Sequence, residues 1–223
     1  MQIKDEQKEL LVEQVRSAQT KSNSLYPHIV ICGPSGSGKT TIIRLGEQSI
    51  LGLKSDIYDP SVSCATRDRR PNEIDGLDYR FMMSLADFGV TDFFETNEYT
   101  GNKKLYGTPV SEIERICLRL KKRMLLDIDP NGAMEFQKFF GGDVYSAFLD
   151  TSDSVLEKRL SLRGESAESI KGRLIAARKE RNLVRDGLFK PNLVLPYDEI
   201  PAAQAVNLIL LKVAEYMEDS LKQ

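Results

Sequence analysis

The stretch Gly33-Pro34-Ser35-Gly36-Ser37-Gly38-Lys39-Thr40 constrains this chain more than any other. The apolar run Ile29-Val30-Ile31-Cys32 precedes it, and Thr41-Ile42-Ile43-Arg44-Leu45 follows it. Strand, glycine loop and helix in that order, with Lys-Thr at the loop's end, form a phosphate-binding loop. Gly33, Gly36 and Gly38 can adopt backbone conformations that a side chain forbids, turning successive N–H groups inward as an anion nest. The helix that follows points its positive end at the same place. Lys39 is expected to reach the β- and γ-phosphates of a nucleotide, and the Thr40 hydroxyl to be a Mg²⁺ ligand. An ordinary Gly/Ser turn has no need of Lys-Thr at this offset.

Around the loop, strand-like and helix-like stretches alternate. Met124-Leu125-Leu126-Asp127-Ile128-Asp129 is an apolar strand ending in acids, Val144 to Leu149 is another, and Leu193-Val194-Leu195 is a short last one. The first helix is expected over 39–51. Residues 109–121 show helical spacing through Val110, Ile113, Ile116, Cys117 and Leu120. Ser154-Val155-Leu156-Glu157 has capping-box spacing. Ala205, Val206, Ile209, Leu210, Val213, Ala214 and Met217 put an apolar face on a closing helix. The expected fold is α/β: a three-layer sandwich with a parallel sheet core, whose ligands bind beyond the carboxyl ends of the strands. Residues 53–108 break the alternation with Arg, Tyr, Asp and Gly clusters and read as an inserted lobe. Residues 1–24 read as a short peripheral helix or frayed arm with a thin stripe of Ile3, Leu10, Leu11, Val15 and Ala18.

The 223 residues suffice for one sizeable domain with insertions. A net charge of −2 argues against a general nucleic-acid binder. No apolar run reaches membrane-spanning length, and Met1-Gln2-Ile3-Lys4-Asp5-Glu6 has no signal-peptide core. Cys32, Cys64 and Cys117 are scattered, which points to a reducing compartment and a cytoplasmic protein. His28 is the one histidine, so histidine-based catalysis is not expected.

A second constellation lies in the inserted lobe. Arg67 and Arg70 suit a monophosphate close to doubly charged at neutral pH, and the Tyr79 and Tyr106 hydroxyls can each donate to it. Glu95 and Asp129 are carboxylates able to accept from N–H groups, and Ser63 and Thr108 are hydroxyls able to donate.

Five segments in order carry a family resemblance over about residues 27–185. They are the phosphate loop; Ser61-Val62-Ser63-Cys64-Ala65-Thr66-Arg67-Asp68-Arg69-Arg70; Gly76-Leu77-Asp78-Tyr79-Arg80-Phe81; Glu95 with Gly101-Asn102 and Tyr106-Gly107-Thr108; and Leu126-Asp127-Ile128-Asp129 with Gly132-Ala133. Here the chain resembles the guanylate kinases, P-loop nucleoside monophosphate kinases that phosphorylate GMP with ATP. The resemblance implies ATP on Gly33, Pro34, Ser35, Gly36, Ser37, Gly38, Lys39, Thr40 and Thr41. It implies GMP on Ser63, Arg67, Arg70, Tyr79, Glu95, Tyr106, Thr108 and Asp129, with dGMP as a second acceptor. The chemistry suits the roles the resemblance implies: ionised Glu95 can accept guanine N1–H and an N2 hydrogen together, Asp129 can take the other amine hydrogen, and Ser63 and Thr108 can donate to O6. Adenine inverts this pattern and would leave buried carboxylate oxygens unpaired. Arg163 and Arg173 match the lid arginines, and Arg159, Arg178 and Arg181 are expected to be surface charge pairs. Asp127 stands where many such enzymes hold Mg²⁺ through water. Lys39, Arg163, Arg173 and Asp127 form the expected catalytic set.

The implied organisation is an N-terminal extension (1–24) and a kinase-like domain (25–223). The latter divides into a core (25–60, 109–150 and 186–223), a GMP-binding lobe (61–108) and a helical lid (151–185). Partners are expected to be ATP and GMP, with no nucleic acid and no membrane, in a monomer or homodimer. Relatives that bind phosphopeptides without catalysis should show a damaged loop or a lost Asp129, and both are intact here. The chain departs from the family's usual pattern at Ala65, Arg69, Asn72 and Asn131, in the longer loop at Lys103-Lys104-Leu105, and at Pro196-Tyr197. At the last position the family tends to carry Asn-Asp near the donor base.

Overall fold

In the computed structural model, which describes residues 1–20, 23–48, 56–81, 84–99 and 104–222, a parallel sheet is built from β1 (His28–Cys32), β2 (Tyr58–Pro60), β7 (Arg123–Asp127), β8 (Val144–Asp150) and β9 (Leu193–Pro196). Its order is β2-β7-β1-β8-β9, so the strand feeding the phosphate loop is central. All five residues of β1 are buried, which explains the unbroken apolar run: both faces of a parallel strand are covered. Alternate residues serve opposite layers. Ile29 and Ile31 join Leu125, Ala147 and Leu149 on one face, beneath Ile42 and Ile43 of α2 (Lys39–Gly46) and Val206, Ile209 and Val213 of α8 (Ala202–Ser220). Val30 and Cys32 join Met124, Leu126 and Phe148 on the other, beneath Phe136 and Phe140 of α5 (Pro130–Phe140).

A second sheet, in the order β4-β3-β6-β5, forms the inserted lobe from β3 (Cys64–Ala65), β4 (Arg80–Phe81), β5 (Phe93–Tyr99) and β6 (Lys104–Pro109), with α3 (Leu85–Gly89) beside it. The lobe joins the core through Glu112, a fully buried carboxylate on α4 (Val110–Ile113). Glu112 accepts from the Val62 N–H at 3.1 Å and from Arg80 at 2.7 Å, and it pairs with Arg115, which also reaches Asp59. Entry strand, lobe strand and core helix thus share one anion. The segment expected to form the lid folds as two helices, α6 (Asp153–Leu162) and α7 (Ala167–Arg185).

Several expectations change. The N-terminal segment is not a frayed arm. Its helix α1 (Asp5–Ala18) buries Lys8, Leu11, Val12 and Val15, one face at i, i+3, i+4, i+7, against the core beneath α5, while Leu10 points outward. After α4 the chain runs on as a wider π-type turn over Glu114–Arg119, which turns Leu120 out to 45% exposure while Ile113, Ile116 and Cys117 stay buried. The cap of α6 is Ser152, whose hydroxyl accepts from the Val155 N–H, rather than Ser154. Ala214 on α8 is exposed. Residues 49–51, Met82, Gly101-Asn102 and Lys103 lie outside the described residues. His28 is wholly buried, its Nδ1 accepting from the Met124 N–H at 3.0 Å, and burial followed by the Arg123 charge lowers its pKa. That is a structural histidine.

Candidate active site

The carboxyl ends of β1 and β7 lie side by side, with Ile31 in register with Asp127. The loop after β1 takes the conformations its glycines permit, with φ of 138° at Gly33, 91° at Gly36 and 101° at Gly38. A Cβ on Gly33 would stand 2.7 Å from the Leu149 carbonyl oxygen, so the loop can pass β8 only without a side chain there. Lys39, in the first turn of α2, folds back to donate to the carbonyls of Gly33 (2.8 Å) and Pro34 (3.2 Å), with Asp127 at 4.0 Å. The Ser37 N–H donates to the Pro34 carbonyl. Thr40 donates to Asp127 Oδ2 at 2.9 Å. Burial pushes the Asp127 carboxyl up, while the Lys39 charge and the Thr40 hydroxyl oppose that rise. Thr41 is exposed and faces the wide cleft between lobe and lid.

Helix α7 reaches this loop. Arg173 donates to the Ser35 hydroxyl and to Glu165. Arg163 lines the same cleft, and its pKa is lowered by burial and by the nearby charge of Arg70. Arg159 departs from the surface role expected of it. Its Nη1 donates to the Ser37 carbonyl at 2.9 Å, and its guanidinium lies 5.2 Å from the centre of the Tyr197 ring. Tyr197 is itself buried beneath Gly38. Tyr197 therefore supports the loop from below, while Pro196 pairs with Asp150 at the end of β8 and Asp198 accepts from the Ser152 N–H. Arg178 and Arg181 do pair, both with Asp153. Glu180, on the same helix, is buried.

Across the cleft, Ser63, Arg67, Arg70, Tyr79, Glu95, Tyr106 and Asp129 line one cavity with Ser35, Lys39, Asp127 and Arg173. Glu73, which had no assigned role, organises its arginines. Arg67 grips it bidentately, both bonds 2.6 Å, and Arg70 donates through its backbone N–H at 2.9 Å and its guanidinium at 3.2 Å. Burial alone would raise the Glu73 pKa, but these bonds outweigh it and hold the carboxyl at about 2. The i, i+3, i+6 spacing of Arg67, Arg70 and Glu73 across a Pro-Asn turn was the available signal. Arg67 also packs on Tyr79 and Phe81. Its Nε is buried and has no hydrogen-bond partner among the described residues.

Glu95 owes its position to a bulge. The register of β5 against β6 shifts between Phe93 and Glu95, which lets consecutive residues serve different surroundings. Phe93 fills the small core of the lobe, Phe94 enters the main core, and Glu95 enters the cavity. Glu95 is 5% exposed. Its Oε1 accepts from the Thr108 N–H at 2.8 Å and the Thr108 hydroxyl at 2.7 Å. The expected donation from Thr108 to a base O6 is thus replaced: its hydroxyl is already directed at Glu95. Burial and the charge of Asp129 raise the Glu95 pKa to about 7 despite the bonds from Thr108. Asp129 caps α5, accepting from the N–H groups of Asn131 and Gly132 through Oδ1, while its Oδ2 accepts from Asn97 at 2.8 Å. Asn97 is a further polar residue of the site, legible as the i+2 neighbour of Glu95 on one strand face. A Cβ on Gly132 would come within 3.0 Å of Glu95 Oε2, so this glycine admits the carboxylate to the helix start.

The family model of guanylate kinase matches residues 26–218, extending past the 27–185 of the sequence resemblance into the last helix. A guanylate kinase of Sus scrofa is 34% identical over 180 residues, which covers 78% of this chain and 86% of the relative. One from Clostridium perfringens is 36% identical over 188 residues, 82% of each chain. The crystal structure of guanylate kinase from Anaplasma phagocytophilum superposes with a TM-score of 0.57 at 23% identity, over 86% of this chain and 87% of that one. Residues 1–25 fall outside the family match.

Proposed function

The chain belongs to the guanylate kinase family, and on that premise we propose that it transfers the γ-phosphoryl group of ATP to GMP, and to dGMP, through the site just described. The observation that carries the base assignment is the buried Glu95–Thr108–Asp129 cluster. Its two carboxylates face one cavity with a pair of arginines and the phosphate loop. ATP is assigned to the loop from Gly33 to Thr41, and GMP to Ser63, Arg67, Arg70, Tyr79, Glu95, Tyr106 and Asp129, with Thr108 acting through Glu95. Arg67 and Arg70, held together by Glu73 at the wall of this cavity, support the phosphate half of the reading.

An oxygen of the GMP phosphate attacks the γ-phosphorus, a new P–O bond forms, and the bond to the β-phosphate oxygen breaks to release ADP. The attacking oxygen is already anionic, so no general base is needed, and catalysis is alignment plus charge stabilisation. Lys39, Arg163 and Arg173 supply positive charge to the transferring group, while Arg67 and Arg70 hold the acceptor. Thr40, in the first turn of α2, and Asp127, at the end of β7, offer one hydroxyl and one carboxylate 2.9 Å apart. That sparse set suits Mg²⁺, which keeps several waters and takes further oxygens from phosphates. Mg²⁺ would supply charge neutralisation across the phosphates. No helix among the described residues is long and apolar enough to cross a membrane. A cytoplasmic monomer or homodimer free of nucleic acid remains part of the proposal.

The test is ADP release from ATP and Mg²⁺ with GMP, dGMP, AMP, CMP or UMP as sole acceptor. Turnover with GMP, less with dGMP and almost none with the others is expected. Equal turnover with AMP would overturn the base assignment, and saturable GMP binding without ADP would overturn the catalytic one.

A further inference from the structure

We propose that the N-terminal segment, residues 1–18, is a strap that positions the base-reading site, and that Lys8 is its positioning residue. This inference rests on Glu95 reading the guanine edge.

The strap holds the neighbours of Glu95 on both sides. The Ile3 N–H donates to the Phe93 carbonyl at 2.9 Å, and the Phe93 N–H donates to the Met1 carbonyl at 3.0 Å, so the first residues extend the lobe's sheet along β5. Thr96 donates to Gln2 at 3.3 Å. The Lys8 ammonium lies 5.3 Å from the centre of the Phe94 ring. Residues 93, 94 and 96 are thus all engaged, and Glu95 sits between them. The same strap also grips α5, whose first turn carries Asp129 and Gly132 against Glu95. Lys8 pairs with Glu135 and lies 5.1 Å from the Phe139 ring. Lys138 pairs with Asp5, and Arg16 donates to the Phe140 carbonyl and to Asp143. Both walls of the base site, one in the lobe and one in the core, are tied by one helix and its leading strand.

Lys8 is the telling position. It is 1% exposed, and lysine is almost never buried so fully without a reason. A leucine or methionine would fill the same space between Phe94 and Phe139 without desolvating a charge. The groups whose charges act on Glu95 are Asp129, at the cap of α5, which opposes its ionisation, and Lys8, which favours it. A carboxylate that must be ionised to accept two guanine N–H groups, yet is crowded by a second acid, gains from one fixed cation behind it.

The test is steady-state kinetics on the full chain from about pH 6 to about pH 9, for wild type, Lys8→Met, Lys8→Arg and Ile3→Pro. Lys8→Met is expected to raise KM for GMP about tenfold near neutral pH, with KM for ATP and kcat at saturating GMP held within about twofold. Its KM for GMP should return toward wild type at the alkaline end, and Lys8→Arg should restore most of the loss. Should Lys8→Met fail to fold, Ile3→Pro still removes the donor to Phe93 and should raise KM for GMP selectively. A pH profile of KM for GMP that superimposes on wild type in Lys8→Met overturns the proposal, as do equal changes in both KM values or an unchanged KM for GMP in Ile3→Pro. Glu95→Gln run in parallel separates the two readings. If it leaves KM for GMP unchanged, the base assignment has failed; if it raises KM for GMP and Lys8→Met does not, the strap alone has failed.

Discussion

Replacing Glu95 by Gln should weaken GMP and stabilise the protein at once, because one buried carboxylate serves function against stability. As an ionised group it can accept from guanine N1–H and N2–H while Oε1 keeps its bonds from Thr108. In the variant, Thr108 orients the amide oxygen toward itself, and the amide N–H₂ then faces two base donors. Losing charge-assisted bonds of about 1.5–3 kcal/mol each, and leaving a base donor unpaired, amounts to about 3–5 kcal/mol. At about 1.4 kcal/mol per factor of ten, KM for GMP should rise on the order of a hundredfold to a thousandfold, while KM for ATP stays within about twofold. The stability arm has a definite sign. Burial and Asp129 raise the Glu95 carboxyl from its ordinary 4.5 to about 7. Below the lower value it is protonated folded or unfolded. Between the two values the unfolded chain ionises first, so stability falls as pH rises, and above about 7 the loss is complete. A shift of this size corresponds to about 3 kcal/mol. Urea melts of Glu95→Gln should therefore show a gain over wild type near pH 8 that shrinks toward pH 4.5. The kcat/KM of wild type for GMP should rise through about pH 7, and that step should be missing in the variant. An equal rise in both KM values, or a variant no more stable than wild type at alkaline pH, would refute the reasoning.

Two further substitutions probe the charges around the phosphates. Glu73→Gln removes the anion that orients Arg67 and Arg70, and should cost about 3 kcal/mol at neutral pH. Because burial is outweighed by the arginine bonds and the carboxyl sits at about 2, wild type keeps this stability above its ordinary 4.5 and loses it as pH falls toward 2. The gap between the two urea midpoints should close over that acid range, and a gap that stays constant would sink the assignment. Arg159→Met removes the bond to the Ser37 carbonyl and the contact with Tyr197. It should raise KM for ATP about tenfold with KM for GMP unchanged, since one charged hydrogen bond is worth about that factor; a matching rise for GMP would mean the arginine acts on the whole fold.

What the sequence made legible was local. The phosphate loop is contiguous, so its strand, glycines and helix could be read together, and the structure forms them as read. Arg67, Arg70, Glu95 and Asp129 stand in short motifs and converge on one cavity. What stayed hidden depended on partners distant in sequence. Arg159 resembles any helix-surface arginine until Ser37 and Tyr197 are brought to it. Thr108 resembles a base donor until the bulge at Phe93 and Glu95 turns the carboxylate onto it. The face of α1 was misread because its i, i+3, i+4, i+7 set begins with Lys8, which pattern reading counts as polar. Glu135, on another helix, and the rings of Phe94 and Phe139 make that lysine an interior residue.

Four cations of the site, Arg67, Arg70, Arg173 and Lys39, share one arrangement. Arg67 and Arg70 are held by Glu73, Arg173 by Glu165, and Lys39 by loop carbonyls near Asp127. Each of these cations is thus already partnered and aimed before a phosphate arrives, Arg67 largely desolvated and Arg70 still 37% exposed, so binding exchanges or adds partners. That lowers the gross attraction for any one phosphate, but it removes the reorganisation that flexible side chains would require at the moment of transfer. The bidentate Arg67–Glu73 pair shows how the exchange can be partial. Both terminal nitrogens of Arg67 are on Glu73, while Arg70, which shares that carboxylate through one guanidinium nitrogen, is 37% exposed and keeps donors open to the cleft. A site built this way favours a ligand that meets the remaining donors and the buried carboxylates together. A free phosphate satisfies only the first set and a free base only the second, so the nucleoside monophosphate is selected as a whole.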